Sequence, residues 1–202
     1  MRRVLAAAVI LPAILLNLSC GNSDDNLSLS TPGKPNVIFP LQVGNTWLYR
    51  RTTYDMQGSA IVVDTVLQRV GRDTLIQGER WYVWETTTGL SMATARSDGY
   101  WTYIGGVPAL TFRYPPSVND SYMLSDIGPM MRIRAVDTLI AVPYGTIPCI
   151  AYEQLSIPDQ QRSRIDYCAA NTGLVRTDEY VHTPSGVDSL DRRSDLIEFH
   201  LY

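Results

Sequence analysis

The chain is poor in several residue types on which catalysis and nucleic-acid binding commonly depend. Lys34 is its one lysine, His182 and His200 are its two histidines, and cysteine occurs three times in 202 residues. A formal charge of −3 leaves no basic surplus for phosphate backbones, so nucleic acid is excluded as a partner on electrostatic grounds. No apolar run approaches the roughly 20 residues that a helix needs to cross a bilayer. The longest, Val4 to Leu16, is interrupted by Pro12. There is no phosphate-cradling loop, no dinucleotide fingerprint and no G-x-S-x-G nucleophile turn. Phenylalanine is scarce as well, three against twelve tyrosines and four tryptophans. That bias favours aromatics with a polar tip, which suit strands and wet or partner-facing surfaces.

The scarce residues leave thin material for chemistry. His182 precedes a Pro184-Ser185-Gly186 turn and His200 alternates with apolar residues of the last segment, so both read as surface histidines. Cys149, Cys168, His182 and His200 are zinc-ligand types but lack the close pairs of a zinc finger or ribbon. Asp178 and Glu179 are adjacent, which on a strand turns them to opposite faces. No catalytic residue, metal site or cofactor is assigned, and a hydrolase is the most distant of the readings.

What the chain does contain is strand signal. From Thr46 onward, short β-branched and aromatic segments alternate with Gly, Pro, Asn and Asp turns at roughly 8–12 residue spacing, and no segment keeps helical periodicity. Asp98-Gly99 is a tight-hairpin signal between Ser91–Ser97 and Tyr100–Ile104. Met130 to Val142 reads as a long strand with Ile133 and Ala135 on one face and Arg132 and Arg134 on the other. Arg80 to Thr88 places Trp81 and Val83 on one face and Tyr82 and Trp84 on the other, so both faces need cover, or one lines a cavity. The expected fold is all-β: an antiparallel curved sheet, as an open half-barrel or a sandwich. A membrane-spanning barrel is disfavoured by short strands and by Glu198 and His200 in the terminal segment.

The N-terminus has the layout of an export signal. Met1-Arg2-Arg3 is basic, Val4 to Leu16 is apolar, and Leu18-Ser19 precedes Cys20. A cysteine directly after such a cut resembles the lipobox of bacterial lipoproteins, with Asn17 where that box prefers leucine. The resemblance implies cleavage before Cys20 and diacylation of its thiol. Residues 1–19 are then signal peptide and residues 20–36, rich in Asn, Ser, Asp and Pro, a lipidated, unstructured tether. Residues 37–202 form a single β domain. Loss of Arg2 and Arg3 takes the formal charge from −3 to −5.

With Cys20 set aside, Cys149 and Cys168 remain as a pair in an oxidising compartment. If Pro158-Asp159 is a two-residue hairpin loop, counting outward sets Cys149 opposite Cys168, within disulfide reach. A one-residue register shift would separate them.

Three further elements resemble a group of exported bacterial β-proteins. These are Phe39-Pro40-Leu41-Gln42-Val43-Gly44-Asn45-Thr46-Trp47-Leu48-Tyr49, Val142-Pro143-Tyr144-Gly145-Thr146-Ile147-Pro148-Cys149, and Ala169-Ala170-Asn171-Thr172-Gly173-Leu174-Val175-Arg176. The resemblance implies an open half-barrel similar to lipoprotein-carrier folds and brings no catalytic residues. Trp47, Tyr49, Leu174 and Val175 are expected in the core. The aromatics Trp81, Tyr82, Trp84, Tyr100, Trp101 and Tyr103 are the ligand-binding candidates. Together these readings describe a non-enzymatic binding or structural module in the bacterial envelope, its membrane contact made through the N-terminal lipid. Gly21 after Cys20 points to the outer membrane, with a periplasmic or secreted protein as the alternative. The expected partner is an apolar ligand held in the half-barrel or, alternatively, an envelope protein or glycan bound by an adhesin or assembly component.

Overall fold

A computed structural model describes residues 37–202 except 88, 127, 158, 184, 185 and 187. The signal, Cys20 and the tether therefore lie outside the described residues, as do Pro158 and the Pro184-Ser185 turn. The domain is all-β. Its strands are β1 (Thr46–Tyr54), β2 (Ala60–Ile76), β3 (Glu79–Thr86), β4 (Gly89–Arg96), β5 (Gly99–Ile104), β6 (Val107–Arg113), β7 (Ser121–Met123), β8 (Met130–Val142), β9 (Gly145–Leu155), β10 (Arg162–Ala169), β11 (Gly173–His182) and β12 (Asp188–His200).

All twelve join one antiparallel sheet in the order β6-β5-β4-β3-β2-β1-β12-β11-β10-β9-β8-β7. The topology is two six-stranded meanders, joined where β1 pairs with β12. A single sheet replaces the sandwich alternative, and it curls further than a half-barrel, into a nearly closed barrel. The turns are locally encoded. Gln77 and Gly78 both have positive φ and close a two-residue hairpin between Ile76 and Glu79. Ser97-Asp98 links Arg96 to Gly99, so the tight hairpin expected here forms one residue earlier than the Asp98-Gly99 pair, with Gly99 already in β5.

The edge strands β6 and β7 meet through tyrosines instead of a full ladder. The Arg113 N–H donates to the Tyr122 hydroxyl (3.0 Å), which donates to the Thr111 carbonyl (2.9 Å). The Tyr152 hydroxyl donates to the Arg113 carbonyl at 2.7 Å. Three backbone groups of an open edge are thereby satisfied by phenols, which can donate and accept together.

One end of the barrel is plugged by the segment before β1. Phe39 inserts among Trp47, Trp84, Tyr100 and Phe112, with ring centroids 4.6 to 6.4 Å apart. Buried Asn45 ties this end together. Its amide donates to the Pro40 carbonyl (2.6 Å) and its side-chain oxygen accepts the Tyr202 N–H (2.8 Å). Trp47 and Tyr49 donate to the carbonyls of Thr172 and Leu174 at 2.6 and 3.0 Å. Two of the sequence elements noted above thus meet at the plug. Gly173 belongs to this contact: its φ is +96°, and a Cβ there would lie 2.6 Å from the Phe39 ring. Each fully buried large side chain of the core contributes roughly 1.5–3 kcal/mol.

Two expectations are corrected. Cys149 and Cys168 are free, not bridged. Leu155 pairs with Arg162 as the counted register requires, but a bulge between Arg162 and Arg164 shifts the rest of the hairpin by one residue. Cys168 then faces Ile150 and packs in the barrel interior, while Cys149 belongs to a separate cluster with Ile140, Ala169 and Val175. The sulfurs point to opposite faces of the sheet. Val175 likewise joins the outer cluster, apart from Trp47, Tyr49 and Leu174. The second correction is of strand length. The sequence reads as two segments, Ala60 to Val70 and Thr74 to Gln77, broken at Gly71-Arg72-Asp73, but β2 continues through Gly71 as one strand with a bulge between Val70 and Arg72.

Candidate ligand-binding lumen

Alternation along the strands sends one set of side chains into the barrel. At its centre lies a cavity of about 350 Å³. Its floor is aromatic: Phe39, Trp84, Tyr100 and Phe112, flanked by Met131 and Leu174. Its walls are polar and come from both meanders: Gln68 of β2, Ser91 of β4, Thr102 of β5 and Thr111 of β6 from one, and Gln154 of β9 from the other. Thr102 and Thr111 share a hydroxyl–hydroxyl bond of 2.6 Å.

Arg164 and Asp166 complete the wall from β10. They form an ion pair at 2.8 Å, and the Thr177 hydroxyl donates to the same Asp166 oxygen at 2.7 Å. Arg164 keeps 37% of its side-chain surface bare although protein surrounds it, because that surface faces the cavity. Burial opposes its charge, and Asp166 outweighs burial and raises its pKa. Past Gln68, Thr86, Arg164 and Leu174 the cavity adjoins a second chamber of about 320 Å³. That chamber lies toward the end opposite the plug, and Arg51, Glu179 and Arg192 line it. Its charges are paired too, Arg51 with Asp64 at 2.6 Å and Arg192 with Glu179 at 3.0 Å.

The structure divides the six candidate aromatics into two groups. Trp84 and Tyr100 form the floor, and Tyr82 packs against the same core. Trp81, Trp101 and Tyr103 lie on the outer face. Trp81 is buried there edge-on to Tyr103, at 5.2 Å between ring centroids. Arg96 stacks 4.3 Å from the Trp101 ring and forms two bonds to Glu79. The need to cover both faces of β3 is met by the lumen core inside and this cluster outside. The lumen's polar residues were not legible as a set, since each is an ordinary strand residue until the barrel closes.

The Trp84 indole nitrogen is buried with no hydrogen-bond partner. The Tyr100 hydroxyl lies close enough for the indole to lower its pKa, against a larger upward push from burial, but offers no acceptor at bonding geometry. The histidines are elsewhere. His182 pairs with Asp188 at 3.3 Å and His200 with Glu198 at 2.8 Å, both at the surface and outside the two chambers. Among the described residues no group of three or more His, Cys, Asp or Glu side chains is placed to hold a metal ion.

An outer-face cluster is built around Glu153, whose side chain is 1% exposed. Arg132, Arg134 and Arg162 surround its carboxylate, with Nε–Oε distances of 3.0 Å from Arg132 and 2.8 Å from Arg162. Burial pushes this carboxyl up, but the hydrogen bonds from Arg162 and Arg132 and the charges of Arg132 and Arg134 outweigh it and hold the pKa below the ordinary value.

No protein family and no curated protein matches the chain. Solved structures do. One is described as an exported protein with YmcC-like fold from Bacteroides fragilis. It aligns over 83% of this chain and 100% of its own at 13% identity, with a TM-score of 0.50. The fold of this chain is YmcC-like. A second, described as a lipoprotein from Parabacteroides distasonis, aligns over 83% of this chain and 100% of its own at 17% identity, with a TM-score of 0.46. At 13% identity the first likeness speaks for the fold alone.

Proposed function

We propose that the protein is a lipid-anchored bacterial envelope module that holds a small ligand in its barrel lumen and performs no catalysis. The observation that carries this reading is the lumen itself, with its aromatic floor, polar walls and volume of about 350 Å³. Small-molecule sites are concave, largely preformed, and combine apolar surface with a few placed polar groups. The export signal and Cys20 supply the anchor, and the solved structures of like fold are described as exported protein and lipoprotein. Gly21 after Cys20 favours the outer membrane. The polar walls favour a ligand with polar groups of its own over the purely apolar one expected from the resemblance.

The test is the protein extracted from its own membrane fraction. Intact mass should show cleavage before Cys20 plus diacylglycerol and acyl increments. Denaturation should release a small molecule that a lumen-filling Ser91→Phe variant, folded by circular dichroism, does not carry. An unlipidated chain sinks the anchor. The same molecule from both proteins, or none from either, sinks the lumen.

A second reading has one observation in its favour. Trp101 and Tyr103 are only half-buried on the outer face beside Arg96, a surface suited to contact with an envelope protein or glycan. Loss of envelope cross-links on Trp101→Ala, with the lumen ligand retained, would select it.

A further inference from the structure

The lumen's own chemistry narrows the ligand class. We propose that the cavity receives the ring of a neutral carbohydrate, laid on the aromatic floor with a ring or hydroxyl oxygen accepting the Trp84 indole N–H. This rests on the lumen-binding reading above.

The unpaired indole is the first observation. Trp47 donates to Thr172 and Trp101 to Asp98, whereas the buried Trp84 N–H has no acceptor at bonding geometry. Trp84 is 4% exposed and lines the cavity. A buried donor left unmade is costly, and a ligand oxygen in the cavity would satisfy it.

The floor is the second. Phe39, Tyr100 and Phe112 lie with centroids 4.6 to 6.0 Å apart, and the Phe112 ring is tilted only 20° from Phe39 and 28° from Tyr100. The negative faces of such rings attract the weakly positive C–H face of a sugar. The walls are the third. Ser91, Thr102, Thr111, Gln68 and Gln154 can each donate and accept, as sugar hydroxyls do.

Charge decides between this class and its rivals. Every charged group facing the two chambers is matched: Arg164 with Asp166, Arg51 with Asp64, Arg192 with Glu179. Among the described residues no surplus cation remains there to hold a carboxylate or phosphate. An acyl chain would bury the Arg164–Asp166 pair and the wall hydroxyls against hydrocarbon, with nothing to replace their water. The volume sits at the low end of the range for small-molecule sites, enough for one or two rings.

The experiment uses the full chain in a detergent without a sugar headgroup. Glucose, galactose, N-acetylglucosamine and their β-linked disaccharides are titrated in parallel with glucuronate and palmitate. Binding is read by calorimetry and by the indole N–H resonance of Trp84. The expected result is saturable binding of at least one neutral sugar, a shifted Trp84 indole signal, and about tenfold weaker binding by Trp84→Phe, which keeps the ring and removes the donor. Thr102→Val, two strands from Trp84 on the same side of the lumen, should weaken the same sugar. Palmitate or glucuronate binding that shifts Trp84, with no response to any neutral sugar, overturns the carbohydrate assignment and keeps the lumen as a binding site. Neutral-sugar binding of equal strength in Trp84→Phe overturns the placement. No probe perturbing Trp84 at millimolar concentration overturns both readings.

Discussion

Gly173→Ala tests the plug directly. Two costs are built into the site. The backbone φ of +96° is one that L-residues rarely adopt, which costs about 1–2 kcal/mol. The added methyl would meet the Phe39 ring at 2.6 and 2.7 Å, and forcing an extra group into a packed core costs about 1–3 kcal/mol. Phe39 cannot swing away freely, since Trp47, Trp84, Tyr100 and Phe112 hold it on several sides. The sum is about 3 kcal/mol, or roughly 6–12 °C in Tm for a domain of this size. Urea unfolding followed by tryptophan fluorescence should show a lower midpoint at unchanged slope. Phe39→Leu separates the two terms. In that background the steric part should vanish and the backbone part persist, a coupling of about 1–2 kcal/mol. A Gly173→Ala effect within about 0.5 kcal/mol of the parent, or the same cost in both backgrounds, would refute the packing of Phe39 against Gly173.

Glu153→Gln should destabilise by about 2 kcal/mol at neutral pH, less than the full penalty for orphaning a buried pair because the three arginines are 30–48% exposed. The folded carboxyl is held below its ordinary value of 4.5, so its contribution is present above that pH and fades as pH falls through the folded pKa. The gap between parent and variant in a pH series of unfolding midpoints should therefore close on the acid side, and a gap that widens there would contradict the cluster. Tyr152→Phe should leave the Arg113 carbonyl short of its phenol donor, costing about 1 kcal/mol and speeding amide exchange in β6 before any other strand. Burial pushes the Cys149 thiol up to about 12 and the Cys168 thiol well above its ordinary value, so neither should alkylate at pH 8 until the chain is denatured, and then both should; reduction should leave the intact mass unchanged.

Strand identity was legible where one face of a strand is buried and the other charged. β8 runs from Met130 to Val142 as its alternation indicates, with Ile133 inside and Arg132 and Arg134 outside, bound to Glu153. The turn glycines Gly78 and Gly105-Gly106 were legible too, because a positive φ selects glycine whatever the surroundings. The expected export signal and its cysteine are linear patterns, read without reference to any fold. The start of β12 was not legible: Asp188 to Asp195 shows no apolar alternation, and its strand form is held by partners on β11, Arg193 on Asp178 and Arg192 on Glu179. The cysteine register failed for a related reason. The bulge between Arg162 and Arg164 has no local signature, yet one extra residue reverses which face every later side chain takes.

The six aromatics divide between lumen and exterior because both faces of β3 to β5 are covered, a consequence of barrel closure. The cavity wall is the furthest from the sequence. Gln68, Ser91, Thr102, Gln154 and Asp166 come from five strands, and none is unusual in its own segment. Local patterning therefore specifies strands and turns, since these follow from steric limits and alternation within a few residues. The lumen depends on register summed around twelve strands, and only the closed sheet brings its floor, its ion pair and its unpaired indole to one place.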